Sequence, residues 1–459
     1  MMKRNAGSIV VGAAALALGL AAWAPAHAAS SRDSWVVQQL YGFNHPLAAQ
    51  LPADLSTKMQ KMAVDAFSFY RGTAHLFYQD MITRPASAYN TTQTSKAWLD
   101  GDMHVNNFGA FADSSGTSVF DVNDCDEGYW GPFVWDIRRV AASIVLAAKA
   151  NGISGSDQQK LVGDFLDSYM GKIGDFRGSS DELTYQLDKD NTSGTVKDLI
   201  DKSKGNSRSS FLAKYTTVSG STRSFQTTAD MVALSSTTYS AVKAAVGTYV
   251  NSIASAKRYA SSYYTVKDIR QKLGSGIGSL GRYRYLVLIE GASSSTGDDV
   301  ILEMKQELSS AVAIATAGNM PTSAYGGNEG QRAAMSLKAT HRNTDVLAGW
   351  TTLNGQGYFL REKSPSAEDF DYTQLSSYSK FSTAVGYMGK ALAAAHARAD
   401  QDYDSTLLTT SMDKQIDDAV TSKSGFKSEI TTFAVDYAAQ VELDYASFIK
   451  ARNAGTALY

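Results

Sequence analysis

The chain has 459 residues, of which 44% are hydrophobic and 19% charged, and its formal net charge is −2. This length is sufficient for a large core or two lobes, and the nearly balanced charge argues against general nucleic-acid binding. The single cysteine, Cys125, excludes an intrachain disulfide, and it excludes zinc sites that need two or more cysteines.

The first residues predict a secretory signal peptide. A basic start is followed by the small and almost wholly apolar residues 7–23, and Ala26-His27-Ala28 has the small residues of a cleavage site. We therefore assign residues 1–28 to the signal peptide and expect the mature chain to start at Ala29. Because no later stretch is long and apolar enough to span a membrane, we expect an exported protein, periplasmic or secreted, with no transmembrane anchor after cleavage.

The mature chain starts with a predicted helical region, Ser34–Met81, in which apolar residues recur at loosely helical spacing. The region ends in the segment AFSFYRGTAHLFYQDM, which contains Arg71. Two interpretations of this arginine remain open. It offers a guanidinium group to an anion, or it is a buried structural arginine.

The stretch Leu99–Asp126, LDGDMHVNNFGAFADSSGTSVFDVNDCD, concentrates side chains that can perform chemistry. A short apolar strand in its second half leads to several acids. The polar residues of the stretch include Asp102, His104, Asn106, Asn107, Asp121, Asp124 and Asp126.

Mg²⁺ binds oxygen ligands, usually one or two from the protein and the rest from water and phosphate. Asp102, Asn107 and Asp121 together could supply a base and two such ligands. The alternative is a polar surface loop with an Asx-rich turn, since Asp and Asn are common in turns.

The next segments are predicted to be mainly structural. A helix with an apolar face starts near Asp136 and is closed by Asn151-Gly152. The carboxylate of Asp136 is placed to interact with the helix dipole, which is a structural role. Helical patterns then alternate with Ser/Thr-rich connections, and we predict a mobile loop at Lys202–Arg223.

A second informative stretch, Val266–Glu307, contains a glycine-rich loop. Its glycines follow the pattern G-x-G-x-x-G at Gly276, Gly278 and Gly281. In a dinucleotide-binding fold such glycines would start a helix. Here a predicted strand, Arg282–Glu290, follows them, which is the arrangement of a kinase nucleotide-binding lobe.

A second predicted strand, Val300–Glu307, follows after a turn. Glu303, Lys305 and Glu307 share one face of it by the two-residue period. Lys305 is a compact cation suited to nucleotide phosphates, and a neighbouring carboxylate could hold it in place. The alternative is an exposed hairpin face with solvated charges.

The remaining chain is predicted to consist of three helices and a strand. The helices are Gly330–Thr344, Phe381–Asp400, which carries His396, and Ile430–Ala451. A strand is predicted at Trp350–Glu362.

These motifs resemble known families at two levels. Gly101-Asp102-x-His104-x-x-Asn107, followed by apolar residues and Asp121, resembles the catalytic and metal-binding loops of aminoglycoside-phosphotransferase-like kinases. More closely, the mature chain resembles an uncharacterised bacterial family, domain of unknown function 2252. The segments that carry this resemblance are AFSFYRG, GDMHVNNFG, VFDVNDCDE, GPFVWDIRRVAAS, the glycine loop, ILEMKQE, AAAHARAD and YAAQVELDYASF.

The resemblance implies an α+β, bilobal protein-kinase-like fold with a largely helical large lobe. In ordinary kinases the glycine loop and lysine precede the catalytic loop, whereas here they follow it, so we expect a circularly permuted fold. Residues 29–265 would form the part of the large lobe with the catalytic and metal loops, residues 266–362 the nucleotide-binding small lobe, and residues 363–459 the helical remainder of the large lobe.

The resemblance also implies roles for individual residues, with ATP and Mg²⁺ as cofactors. Asp102 would be the general base toward an acceptor hydroxyl, and His104 would lie near the transferring phosphate. Asn107 and Asp121 would be the Mg²⁺ ligands. The glycine loop, with Gly276, Gly278 and Gly281, and Lys305 would bind the nucleotide, while Asp124 or Asp126 would add to the acidic cluster. No glutamate is assigned as the partner of the lysine; Glu307 is nearest to it, and Glu329 lies at the start of the next helix.

The sequence therefore predicts an ATP- and Mg²⁺-dependent phosphotransferase, or a nucleotidyl transferase, that acts outside the cytoplasm on an unidentified acceptor. Export of an ATP-dependent enzyme is unexpected, because ATP should be scarce outside the cytoplasm. One alternative is a catalytically inactive kinase-like protein that binds a ligand in the same cleft. Another is a metal-dependent phosphohydrolase, which Asp102-Met103-His104 suggests, although the sparse histidines form no recognisable motif of that class.

Overall fold

The computed structural model describes residues 29–459, and the predicted signal peptide, residues 1–28, lies outside the described residues. The fold of the described chain is mixed α+β, with helices and several antiparallel sheets. Across residues 29–459, no helix combines the length and the apolar character that a membrane span requires.

The helices and strands follow one another along the whole described chain. The α-helices are α1 (Ala29–Ala48), α2 (Pro52–Met62), α3 (Ala66–Gly72), α4 (Ala74–Thr83), α5 (Val134–Ala150), α6 (Gly155–Phe176), α7 (Gly194–Gly205), α8 (Arg208–Tyr215), α9 (Ser236–Tyr249), α10 (Ala311–Ala315), α11 (Glu329–Thr340), α12 (Tyr378–Arg398), α13 (Gln401–Asp404), α14 (Met412–Ala419) and α15 (Lys423–Asn453). The strands are β1 (Ala97–Leu99), β2 (Phe108–Ala112), β3 (Ser118–Val122), β4 (Tyr129–Gly131), β5 (Leu187–Asp188), β6 (Thr216–Ser219), β7 (Thr222–Phe225), β8 (Met231–Val232), β9 (Val266–Lys272), β10 (Arg284–Ile289), β11 (Val300–Gln306), β12 (Gly349–Leu353), β13 (Gln356–Glu362) and β14 (Glu368–Asp369).

A six-stranded antiparallel sheet contains the predicted strands after the glycine loop. Its strand order is β12-β13-β11-β10-β9-β8. The single strand predicted at 350–362 is instead the hairpin β12–β13, because Asn354 and Gly355 both have positive φ, 52° and 76°. An Asn-Gly pair in this conformation is the preferred two-residue hairpin turn.

The stretch Leu99–Asp126, here called the catalytic stretch for its predicted role, contributes β2 and β3 to a second, four-stranded sheet. The strand order of this sheet is β14-β2-β3-β5. Long helices surround it, and α12 packs along α6 while α15 packs on α5. The largest apolar core joins these helices to β1–β4, whereas a separate core lies between α9 and the six-stranded sheet. The two groups of elements thus each bury an apolar face of their own.

The predicted mobile loop at Lys202–Arg223 is wrong. This segment belongs to α7, α8 and the hairpin β6–β7. Leu212 and Phe225 are buried against Leu286 of the six-stranded sheet. The Ser/Thr-rich composition was misleading because a few well-placed apolar residues anchor the segment to a sheet that is distant in sequence.

A buried ion-pair network joins the start of the described chain to its end. The Arg32 guanidinium on α1 donates to Asp80 at 2.6 and 2.8 Å and to Asp444 on α15 at 2.9 and 2.6 Å. Tyr437 also donates to Asp80, at 2.8 Å. Because both carboxylates are buried, the arginine compensates two charges that water cannot solvate.

We expect Arg32→Ala to lower the free energy of unfolding by about 3–5 kcal/mol, the usual effect of leaving a buried charge without its partner. Urea denaturation of the mature protein at neutral pH measures this change. Arg177→Ala is the matched control, since Arg177 also pairs with two carboxylates, Asp417 and Asp418, but is exposed and should contribute about 0–1 kcal/mol. Equal effects of the two substitutions would contradict the prediction.

Candidate functional site

A cavity of about 1260 Å³ lies where the catalytic stretch faces the glycine loop and the six-stranded sheet. Segments that are distant in the sequence meet at its wall. The predicted site residues that line it are Asp102, His104, Asn106, Asn107, Asp124, Asp126, Gly276, Gly278 and Lys305.

The turn before Asp102 is held by a buried carboxylate. Asp136, at the start of α5, accepts hydrogen bonds from the backbone N–H of Asp100 at 2.7 Å and of Gly101 at 3.2 Å. His396 on α12 contacts the same carboxylate at 3.3 Å. The structure agrees with the structural role predicted for Asp136, and it shows that the side chain binds this turn, which the sequence did not indicate.

Gly101 allows the chain to make that turn. Its φ is +87°, and a Cβ atom at this position would collide with the backbone carbonyl of Glu127. A residue with a side chain therefore cannot occupy the position without a shift of the backbone. The glycine and Asp136 together fix the point from which the catalytic stretch starts.

Asp102 presents one carboxylate oxygen to the cavity. Its Oδ1 accepts hydrogen bonds from Nε of Arg139, at 2.8 Å, and from Nη2 of the same buried arginine. Its Oδ2 lies 4.0 Å from Nε2 of His104. Burial raises the pKa of Asp102 to about 6, although Arg139 acts in the opposite direction. A carboxylate that titrates near neutral pH has the property needed for a general base.

Asn107 connects the two halves of the catalytic stretch. Its Nδ2 donates to the side chain of Asp100 at 2.8 Å and to the backbone carbonyls of Asp102 at 3.2 Å and Asp124 at 2.9 Å. Its Oδ1 accepts from the backbone N–H of Asp124 at 2.9 Å. The amide thus holds the loops that carry Asp102 and Asp124 at a fixed separation.

His104 is buried at the cavity wall, and its Nδ1 has no hydrogen-bond partner among residues 29–459. Burial lowers the pKa of His104 well below its usual value, with a further lowering by Arg71 and Arg139. The imidazole is therefore neutral at physiological pH and can donate or accept one hydrogen bond toward a ligand.

Asp121 lies within β3 and does not line the cavity. Its carboxylate contacts Nη1 of the buried Arg398 at 3.3 Å and accepts a backbone hydrogen bond from Val122 at 2.9 Å. Asp124 and Asp126, which follow the strand, do line the cavity. The structure thus brings Asp102, His104 and Asn107 together at the cavity and leaves Asp121 behind its wall.

Lys305 on β11 points at these two acids. Its Nζ contacts the carboxylate of Asp126 and lies 3.8 Å from Oδ2 of Asp124. The sequence assigned no partner to this lysine and named Glu307 and Glu329 as the neighbouring glutamates. Glu307 pairs with Arg282 at 3.2 Å, and Glu329 pairs with Arg332 at 2.5 Å.

Lys305 and Glu307 are also buried, so the alternative of a solvated hairpin face is wrong. Burial by itself raises the pKa of Asp124, but Lys305 and neighbouring arginines lower it, and the net shift is downward. Asp124 is therefore ionised at neutral pH. The lysine and this carboxylate form a charged pair at the cavity wall.

The glycine loop is fixed to α2 by two lysines that sequence reasoning missed. Lys61 donates to the carbonyls of Gly274 at 2.7 Å and Gly276 at 3.1 Å, and Lys58 lies 3.4 Å from the carbonyl of Gly278. Burial lowers the pKa of Lys58 to about 7. A signal was present in the sequence, because Lys58 falls on the apolar helix face at the spacing of its buried neighbours.

Gly281 ends the G-x-G-x-x-G pattern but does not line the cavity. Its φ is +97°, and a Cβ atom there would lie 2.8 Å from Leu55 and 3.2 Å from Leu47. Its role in this fold is the close approach of the loop to α1 and α2. Of the three glycines, Gly276 and Gly278 face the cavity.

The family model described as "Uncharacterized protein conserved in bacteria (DUF2252)" matches residues 50–451. The chain belongs to the DUF2252 family. No curated protein and no solved structure matches the chain. The matched range of the DUF2252 model includes the catalytic stretch, the glycine loop and Lys305, so the whole cavity described above lies within the family domain.

The acids of this DUF2252 cavity do not form a metal cluster of protein side chains. Within residues 29–459, no group of three or more His, Cys, Asp or Glu side chains is arranged to hold a metal ion. A Mg²⁺ ion in a nucleotide site needs only one or two carboxylates, because phosphate and water complete its shell. Asp124 and Asp126 both line the cavity, and Asp126 is in contact with Lys305.

We expect Arg139→Gln to raise the pKa of Asp102 further above its present value of about 6, because the guanidinium now lowers it. NMR titration of protein labelled with ¹³C at the aspartate carboxyls measures the shift, with Asp102→Asn for assignment. Arg177→Gln, which removes an exposed arginine far from Asp102 in sequence, should leave that resonance unchanged. An unaltered titration of Asp102 in Arg139→Gln would show that the ion pair does not control this carboxylate.

Proposed function

We propose that this DUF2252 protein is an exported, ATP- and Mg²⁺-dependent phosphotransferase with a circularly permuted, kinase-like arrangement of its parts. The observation that carries the proposal is that the glycine loop, Lys305 and Asp102 line one cavity, although Lys305 and Asp102 are 203 positions apart (305 minus 102). A phosphate-binding loop, a cation and a base within one cleft are the parts that phosphoryl transfer requires.

The order of elements around the six-stranded sheet supports this proposal. The glycine loop connects β9 to β10, and β11 with Lys305 pairs with β10 in the same sheet. Helix α11 follows β11, and β13 leads into residues 362–369 at the cavity wall. A glycine loop over the phosphates, a lysine on the third strand and a following helix are the parts of a kinase small lobe.

The residues of the chain would divide the work of transfer between binding and proton removal. Bound ATP and Mg²⁺ would supply the phosphoryl group and neutralise its charge. Lys305 and the backbone of the glycine loop would hold the phosphates, and Asp102 would accept the proton of the acceptor hydroxyl at Oδ2. Arg139 donates to Oδ1 and so orients the carboxylate. Arg139 would therefore act as a positioning residue for Asp102.

For the metal, we propose Asp124 as the carboxylate ligand, with Asn107 as the residue that holds its loop and Asp126 as the partner of Lys305. The exposure of Asp124 supports this assignment, since about half of its side chain, 49%, is accessible from the cavity side. Asp121, the ligand predicted from the sequence, is engaged by Arg398.

We expect Asp124→Asn to weaken Mg²⁺-dependent nucleotide binding about tenfold or more, because one anionic ligand is lost. Asp121→Asn is the matched variant and should have a smaller effect on the metal. Calorimetric titration of Mg²⁺ or Mn²⁺ with the nucleotide present compares the two. A larger loss in Asp121→Asn would instead support the ligand set predicted from the sequence.

Two further substitutions separate binding from chemistry. Lys305→Ala should lower nucleotide affinity and turnover together, since it removes a phosphate-binding cation. Asp102→Asn should leave nucleotide affinity nearly unchanged and slow transfer by about two orders of magnitude or more, the usual contribution of a general base. The rate of the parent protein should rise as pH increases through about 6, because Asp102 must be deprotonated to act.

The assay is transfer of label from the nucleotide by the mature protein, with cell-envelope extract or the protein itself as acceptor. Transfer at the parental rate by Asp102→Asn would remove Asp102 from the mechanism. Tight nucleotide binding without transfer would favour the alternative of a catalytically inactive, ligand-binding protein.

A further inference from the structure

Arg71 is a cavity residue that the proposed mechanism does not use. It lies in the last turn of α3, and its side chain lines the cavity together with Asp102 and His104. A Cβ atom placed on Gly278 would lie 3.5 Å from the backbone carbonyl oxygen of Arg71 and 3.8 Å from Oδ2 of Asp102. Arg71 therefore stands beside the proposed base, under the glycine loop.

The guanidinium of Arg71 is largely buried and has no partner in the described part of the chain. No hydrogen bond or ion pair joins it to residues 29–459, and its Nε is a buried donor without an acceptor. Two other arginines of the cavity wall are paired, Arg284 with Glu303 at 2.8 Å and Arg282 with Glu127 at 2.9 Å. A buried, unpaired cation is unfavourable unless something else compensates its charge.

The acids nearest to Arg71 already have other partners. Asp102 is engaged by Arg139, and Asp65 caps α3 by accepting from the backbone N–H of Ser68 at 2.6 Å. Asp369 accepts from the side chain of Asn123 at 2.8 Å. These carboxylates favour the charged form of Arg71 from a distance, and they leave its donors free for a ligand.

A purely structural role for Arg71 would have a different pattern of contacts. Structural arginines of this fold pair with carboxylates, as Arg32 does, or donate to backbone carbonyls. Arg332 reaches Gly128 at 2.7 Å and Asp126 at 2.8 Å, and Arg398 reaches Glu182 at 2.9 Å. Arg71 makes no such bond within residues 29–459, although it is equally able to do so.

We propose that Arg71 forms an oxyanion subsite beside Asp102 that binds a phosphate group. The planar guanidinium presents parallel donors that match the spacing of phosphate oxygens, which makes arginine a preferred residue for this ligand. The phosphate belongs either to the nucleotide, as its terminal group, or to a phosphorylated acceptor. The identification of the phosphate with either of these two sources rests on the proposed function. The subsite itself does not.

The first test uses inorganic phosphate as the probe with the mature, nucleotide-free protein. Arg71→Gln should weaken phosphate binding about tenfold or more, because a charge-assisted, two-point contact is lost. Arg71→Lys should have an intermediate effect, since it keeps the charge but not the fork. Lys214→Gln is the matched control, because Lys214 also lines the cavity without an ion pair but is exposed, and phosphate affinity should remain at the parental value.

Calorimetry or thermal shift measures the affinity, and an unchanged melting temperature would show that Arg71→Gln is folded. This is expected because the side chain makes no hydrogen bond to the described chain. The proposal is overturned if the parent does not bind phosphate at concentrations of tens of millimolar, or if Arg71→Gln binds it as well as the parent does.

A second arm identifies the source of the phosphate with ADP and a non-hydrolysable ATP analogue, each with Mg²⁺. If Arg71→Gln removes a preference for the triphosphate, the subsite binds the terminal phosphate. If it leaves that preference intact and still weakens the binding of inorganic phosphate to the ADP-saturated protein, the subsite belongs to the acceptor. If neither nucleotide binds the parent while phosphate binding still depends on Arg71, the kinase-like function fails and the oxyanion subsite remains.

Discussion

The geometry of the cavity depends on one buried carboxylate, that of Asp136. It is fully buried and binds two consecutive backbone N–H groups of the turn at residues 100–101, while His396 contacts it from α12. A charge without access to water must be compensated by such donors. The interaction therefore fixes α5, α12 and the start of the catalytic stretch relative to one another, and it sets the position from which Asp102 reaches the cavity.

Burial of charge is also the source of the reactivity that we propose. Asp102 has a pKa near neutral because it has lost most of its solvent, and Arg139 prevents a larger shift. Close by, Lys305 and neighbouring arginines keep Asp124 ionised. One carboxylate is thus suited to take a proton and another to bind a cation, and the difference arises from their neighbours and not from their chemical type.

Much of the site could be predicted from residue types and spacing. The stretch from Leu99 to Asp126 and the strand with Lys305, which the sequence singled out, both line the cavity. The partner of Lys305 could not be assigned from the sequence, because strand periodicity shows which side chains share a face but not which loop packs against that face. Lys58 and Arg139 were missed for a related reason, since a charge within a helical pattern does not reveal what it will contact.

The sequence by itself determined the elements whose signals are local. Helical spacing predicted α5, α12 and α15, and β-branched and aromatic residues predicted β10 and β11. The motifs indicated membership of the DUF2252 family, which the match of the family model to residues 50–451 confirms. Only the tertiary structure decided that Asp124 and not Asp121 reaches the cavity, that Asp136 holds the catalytic turn, and that the Ser/Thr-rich segment is ordered. Each of these depends on contacts between residues far apart in the chain, because burial and ion pairing are properties of the packed molecule and leave no local period in the sequence.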